Sequence, residues 1–119
     1  MLLDDDPTRL SHISDATQEA LGYVKTLDRE AFEQNRPMQH AIIRCLTIVG
    51  EASARLSLEL RNSNAHIPWP RIIATRNRIV HAYFDLDLDL IWHTATHELP
   101  ILLNQIEQIR DQIGESTQD

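Results

Sequence analysis

The segment 37–60, PMQHAIIRCLTIVGEASARLSLEL, decides the fold class. Met38, Ile42, Cys45, Leu46, Val49, Ala52, Leu56 and Leu60 recur in steps of three and four, the spacing that lays apolar side chains along one face of an α-helix. Pro37 fits the first turn of such a helix, where a missing N–H costs nothing. Gly50 sits inside the stripe at a cost of about 1 kcal/mol relative to alanine, which suggests either that another backbone or a ligand approaches closely there or, equally, a neutral glycine that the helix tolerates.

Working outward, Asp6 before Pro7 reads as a helix N-cap and first residue, and Leu10, Ile13, Ala16, Leu21 and Val24 follow at helical spacing, predicting a helix over 7–26. Asp28 can cap a short helix over 29–34. The turn-rich stretch from Asn62 to Pro70 separates the long helix from a fourth, predicted over 70–83. The run Phe84-Asp85-Leu86-Asp87-Leu88-Asp89-Leu90 alternates like a strand. A lone strand would have nothing to pair with, so it reads instead as an extended link and the acidic first turn of a fifth helix. That helix carries Ile91, Ala95, Leu99, Leu102, Leu103, Ile106, Ile109 and Ile113, with Pro100 kinking or splitting it. The expectation is an all-α bundle of four to five antiparallel helices with a long central helix, forming one domain over 1–119. Residues 6–113 make its ordered core and 114–119 a polar tail.

Composition narrows the function classes. The chain has 119 residues, 42% of them apolar and 24% charged, and no apolar run approaches the roughly 20 residues of a membrane span. Three aspartates stand near the start, where an export signal would be basic and then apolar, so the chain is expected in the cytoplasm. Cys45, the only cysteine, cannot form an internal disulfide, and its place in the apolar stripe suggests a buried thiol. The net charge of -7 argues against a polyanionic partner, yet it is unevenly spread: residues 36–78 hold seven arginines against Glu51 and Glu59, a net +5, leaving -12 elsewhere. The chain's only lysine is Lys25, and guanidinium, unlike ammonium, binds phosphate or carboxylate in a bidentate fork.

Within that basic middle, Arg76-Asn77-Arg78-Ile79-Val80-His81-Ala82-Tyr83 gathers a permanent cation, an amide, an imidazole and a phenol. On an undistorted helix Asn77 and His81 lie about 40° apart and share a face, whereas Arg76 and His81 diverge by about 140°. Both can serve one small target only if the helix distorts or if the site forms where two copies meet about a two-fold axis. A purely structural role competes with this: an Arg76–Glu51 ion pair, an Asn77–His81 hydrogen bond and a buried Tyr83. Glu51 supports Arg76 on either reading.

Arg76, Asn77 and His81 match the R-N-x-x-x-H pattern of the HEPN superfamily of small helical domains. Together with Tyr83, Ile48-Val49-Gly50-Glu51-Ala52 and the aspartate–leucine alternation, residues 6–113 resemble the HepT toxins of bacterial toxin–antitoxin pairs. The resemblance implies a cofactor-free, metal-independent endoribonuclease that cleaves RNA through its own 2′-hydroxyl, with active sites formed between two protomers of a homodimer. His81 would act as general acid or base, Arg76 as phosphate anchor and Asn77 as orienter, with Glu51 and Arg78 in support. It further implies a nucleotidyltransferase antitoxin of the MntA type that inhibits by binding and by adenylylating Tyr83, placing charge and a purine where RNA must bind. The alternative is a non-catalytic HEPN-like module that binds a nucleotide or a partner protein and dimerises.

Other signals are weaker. His93 and His97 stand one turn apart, a zinc-compatible spacing, but no third cysteine or histidine lies near them in sequence. The aspartate run fails as a calcium loop, because Leu90 and Thr96 occupy the glycine and bidentate-glutamate positions. Trp69 and Trp92 suit core packing better than base stacking.

Overall fold

The computed structural model describes residues 5–82 and 85–118, at 80–82 and 115–118 the backbone alone. Its helices are α1 Asp6–Lys25, α2 Arg29–Glu33, α3 Arg36–Arg55, α4 Leu58–Ser63, α5 Trp69–Ile73, α6 Thr75–Ile79, α7 Leu88–His93 and α8 Leu99–Gln118, with a π-helical turn, Thr94–Glu98, joining the last two. Two short strands, β1 Val80–Ala82 and β2 Asp85–Leu86, interrupt an otherwise all-α bundle. Helix α3 is the hub: α1 packs along it most extensively and also touches α8, while α2, α5, α6 and α7 border α3 elsewhere.

The apolar stripe of α3 faces inward as its spacing predicts. Ile42, Cys45, Leu46, Val49 and Ala52 are buried with Leu10, Ile13 and Ala20 of α1, and with Leu102, Ile106 and Ile109 of α8. Met38, at the start of the stripe, is only half-buried. Capping follows local chemistry: Asp28 accepts the Ala31 N–H at 2.7 Å, Asn35 the Met38 N–H at 3.1 Å and Asp87 the Leu90 N–H at 3.0 Å.

The long central helix is shorter than its periodicity suggests. It stops at Arg55, Leu56 turns extended, and Ser57 caps a separate α4 through its hydroxyl, which accepts the Leu60 N–H at 3.1 Å. The cause lies in another element. Asp6, predicted as the cap of its own helix, is buried instead: its Oδ1 accepts the Ser57 N–H at 2.9 Å and its Oδ2 accepts the Ser57 hydroxyl at 2.7 Å. The N–H that would have continued α3 is thereby drawn away, and Leu56 reaches the core from the extended link and Leu60 from α4, rather than both from one helix.

The predicted fourth helix, 70–83, is also divided. It begins at Trp69, breaks at Ala74 and ends at Ile79, after which Val80–Ala82 pairs antiparallel with Asp85–Leu86. The alternating run rejected as a strand therefore has a partner, hidden in what reads as the end of a helix. Asp87 N–H closes the pair by donating to the Ile79 carbonyl at 2.8 Å. The alternation has a three-part explanation: Leu86, Leu88 and Leu90 are half-buried against the core, Asp87 caps α7, and Asp89 pairs with Arg29 of α2. The expected kink near Pro100 takes the form of the π turn just ahead of it, where proline's missing N–H already breaks the helical ladder. Beyond it, α8 continues to Gln118, past the predicted end near Ile113.

Gly50 is tightly constrained. A Cβ at this position would lie 3.2 Å from the Ile72 carbonyl oxygen and 3.4 Å from that of Ile73, whereas nothing stands within 4 Å of one at Gly22. Gly22→Ala is therefore expected to raise the free energy of unfolding by about 0.5–1 kcal/mol. Gly50→Ala should forfeit that gain by pressing on α5, leaving the two variants at least about 1 kcal/mol apart in urea denaturation. Asp6→Ala strands the Ser57 N–H and should cost about 2–3 kcal/mol, with Asp6→Asn losing about half as much. A loss under about 0.5 kcal/mol in Asp6→Ala would show that this contact does not hold the α3–α4 corner.

Candidate active site

Helix α6 is short, and its two ends anchor it. Thr75 and Ile79, four residues apart, are buried, and the Thr75 hydroxyl donates to the Arg71 carbonyl at 3.1 Å. With those two positions turned inward, Arg76 and Asn77 are turned to solvent, and both are exposed. Among the described residues neither makes a hydrogen bond or an ion pair. Arg78 is half-buried, its Nη1 donating to the Arg71 carbonyl at 3.4 Å. An exposed arginine and amide without internal partners keep their donors available for a phosphate or carboxylate.

His81 lies on β1, not on the helix that carries Arg76 and Asn77. The helix-face relation expected between Asn77 and His81 is therefore replaced by a change of backbone direction after Ile79. The single undistorted helix assumed for both residues ends at Ile79, before His81. Tyr83 falls outside the described residues. Glu51 is exposed on α3 and, among the described residues, forms no ion pair with Arg76, so the expected support is absent from the single chain. The strand that carries His81 was legible only through its partner, the alternating run after Tyr83.

The other polar features lie elsewhere in the fold. Cys45 is buried between α1 and α3, and its thiol donates to Glu19 at 3.1 Å, a carboxylate that Tyr23 also reaches at 3.0 Å. Burial first, and then this contact with Glu19, push the thiol up to about 12, so it is protonated at neutral pH and unfit as a nucleophile. Glu19 is held below the usual carboxylate range by the same two donors, Cys45 the stronger. His93 and His97 stack with ring centroids 4.8 Å apart, and among the described residues no three His, Cys, Asp or Glu side chains are grouped to hold a metal ion. Trp69 is buried with its indole N–H donating to the Asn64 carbonyl at 3.1 Å, and Trp92 packs on Phe32 at 5.0 Å. No helix among the described residues is long and apolar enough to cross a membrane.

Comparison with known proteins places this arrangement in a family. A model described as "Ribonuclease HepT-like" matches residues 13–109. An RNase candidate of Methanocaldococcus jannaschii is 33% identical over 89 residues, covering 75% of this chain and 77% of that protein. A second, from Caldanaerobacter subterraneus, is 32% identical over 100 residues, covering 84% and 89%. A Thermococcus cleftensis protein named "Probable ribonuclease HepT" is 30% identical over 101 residues, covering 85% and 92%. No solved structure matches. With the family model spanning most of the chain and relatives aligned over most of their own length, the protein belongs to the HepT-like ribonuclease family of HEPN domains.

Proposed function

We propose that the protein is an endoribonuclease toxin that cleaves RNA without a metal ion, at sites formed between two copies of the chain. The observation that carries this reading is the exposed, unpartnered Arg76–Asn77 pair on α6, leading directly into the strand that bears His81. The structural alternative, an Arg76–Glu51 ion pair with an Asn77–His81 hydrogen bond, requires partners for both side chains, and among the described residues they have none.

The chemistry follows from the residue types. The RNA 2′-oxygen attacks the adjacent phosphorus, the bond to the 5′-oxygen breaks, and the products are a 2′,3′-cyclic phosphate and a 5′-hydroxyl. His81, with a reference pKa near 6.5, takes the 2′-hydroxyl proton or protonates the leaving 5′-oxygen, a role worth about 10²–10⁴ in rate. Arg76 stabilises the charge that builds on the phosphoryl oxygens, and Asn77 orients the imidazole or the phosphate. Arg78 holds the turn through its bond to Arg71. Glu51, unpaired with Arg76 in one chain, supports the site in the assembled dimer. The inhibitor is an MntA-like nucleotidyltransferase antitoxin, which binds the toxin and transfers AMP from ATP to the Tyr83 hydroxyl with release of pyrophosphate, so that negative charge and bulk block the phosphate site.

The test is incubation of the purified protein with total RNA in EDTA. Cleavage leaving cyclic phosphate ends is expected, with His81→Ala and Arg76→Ala each reducing the rate at least about 100-fold. Arg76→Ala should leave the circular dichroism spectrum unchanged, because the side chain is exposed and unpartnered. RNA that stays intact under all conditions would favour a non-catalytic binding module. Co-expression with the cognate nucleotidyltransferase should add about 329 Da per AMP to the intact mass, and Tyr83→Phe should abolish the addition.

A further inference from the structure

His93 ends α7 and His97 lies in the π turn Thr94–Glu98, so both stand on the wide turn just ahead of Pro100. Neither belongs to the candidate active site. Both are exposed, and their rings lie with centroids 4.8 Å apart and planes inclined at 37°. Among the described residues neither imidazole makes a hydrogen bond or an ion pair, and the neighbouring carboxylate, Glu98, is paired with Arg71. The ring nitrogens therefore keep their lone pairs and protons for a guest.

We propose that this pair is a site for a divalent transition-metal ion, held by one nitrogen of each ring with water completing its coordination. The separation of the rings carries the inference. A metal–nitrogen bond of about 2.0–2.1 Å sets a ring centroid about 3.2 Å from the ion, so two imidazoles on one ion at angles of about 90–110° stand about 4.5–5.2 Å apart. The observed 4.8 Å falls inside that range. The backbone thus holds the rings at the distance that chelation needs, and binding requires ring rotation rather than backbone movement, which keeps its ordering cost small. Nitrogen donors select copper, nickel or zinc over magnesium and calcium, which take oxygen. The place in the fold gives the ion a consequence. Pro100 lacks the N–H that would bond back into this turn, and an ion bridging His93 and His97 ties the same turn from outside, stabilising the junction between α7 and α8. The site shares no residue with Arg76, Asn77 or His81, so the ion takes no part in the proposed cleavage.

Copper(II), the tightest binder of the divalent series, is the probe, added at half an equivalent to the untagged full chain at neutral pH. Electron paramagnetic resonance should show coupling to two imidazole nitrogens in the wild type. His93→Ala and His97→Ala should each lose that two-nitrogen signature and weaken binding at least about tenfold, since each leaves a single imidazole. Both side chains are exposed, so the circular dichroism of the helices should be unchanged in either variant. His40→Ala, which removes an exposed histidine from α3, should bind copper as the wild type does. Amide hydrogen exchange over residues 94–99 should slow with copper in the wild type and not in the two variants. Copper that binds as well in His93→Ala or His97→Ala as in the wild type, or whose binding is lost in His40→Ala, overturns the site. A two-nitrogen signature without slower exchange over 94–99 overturns the clasp on the turn.

Discussion

Everything at the candidate site depends on how closely one backbone can lie on another at Gly50. The carbonyl oxygens of Ile72 and Ile73 close the end of α5, and they come within 3.2 and 3.4 Å of where a side chain on α3 would begin. A residue with a Cβ would hold α5 away from the hub helix, and α6 follows α5 after one residue. The glycine costs the isolated helix about 1 kcal/mol, and in return it fixes the height at which Thr75 and Ile79 reach the core. Once those two are seated, the outward direction of Arg76 and Asn77 is not a separate choice.

Much of the bundle was legible because its determinants are local. The stripe on α3, the Asp28 cap and the Pro37 start all act within a turn or two, and the chain obeys them. Three departures share a different cause. Helix α3 ends early because Asp6, 51 residues away in sequence, captures the Ser57 N–H. The motif helix ends early because residues 85–86 offer it a strand partner. Asp6 fails to cap its own helix because it is committed to that tertiary contact. Periodicity registers which face is apolar, but it cannot register a backbone group that a distant residue has claimed.

The candidate site divides along the same line. Arg76 and Asn77 as candidates follow from residue type and spacing, whereas their exposure follows from the seating of Thr75 and Ile79 in the core. The expected Glu51–Arg76 pair does not follow from spacing, since facing positions on two helices need the right approach as well as opposite charge, and an exposed pair contributes little to enforce it. The positive middle of the sequence is likewise only partly available: Arg71 is paired with Glu98, while Arg76 keeps no internal partner. Local charge counts therefore overstate the free cationic surface, and the structure reduces it to particular guanidinium groups.

The lone thiol has a practical corollary. Sequestered at 1% exposure and held as the neutral acid, Cys45 is chemically quiet toward alkylating and disulfide-forming reagents that act on thiolates. A spectroscopic reporter could be attached through a cysteine introduced on the surface of this chain without first removing the native one, so the packing between α1 and α3 need not be disturbed to watch the molecule at work.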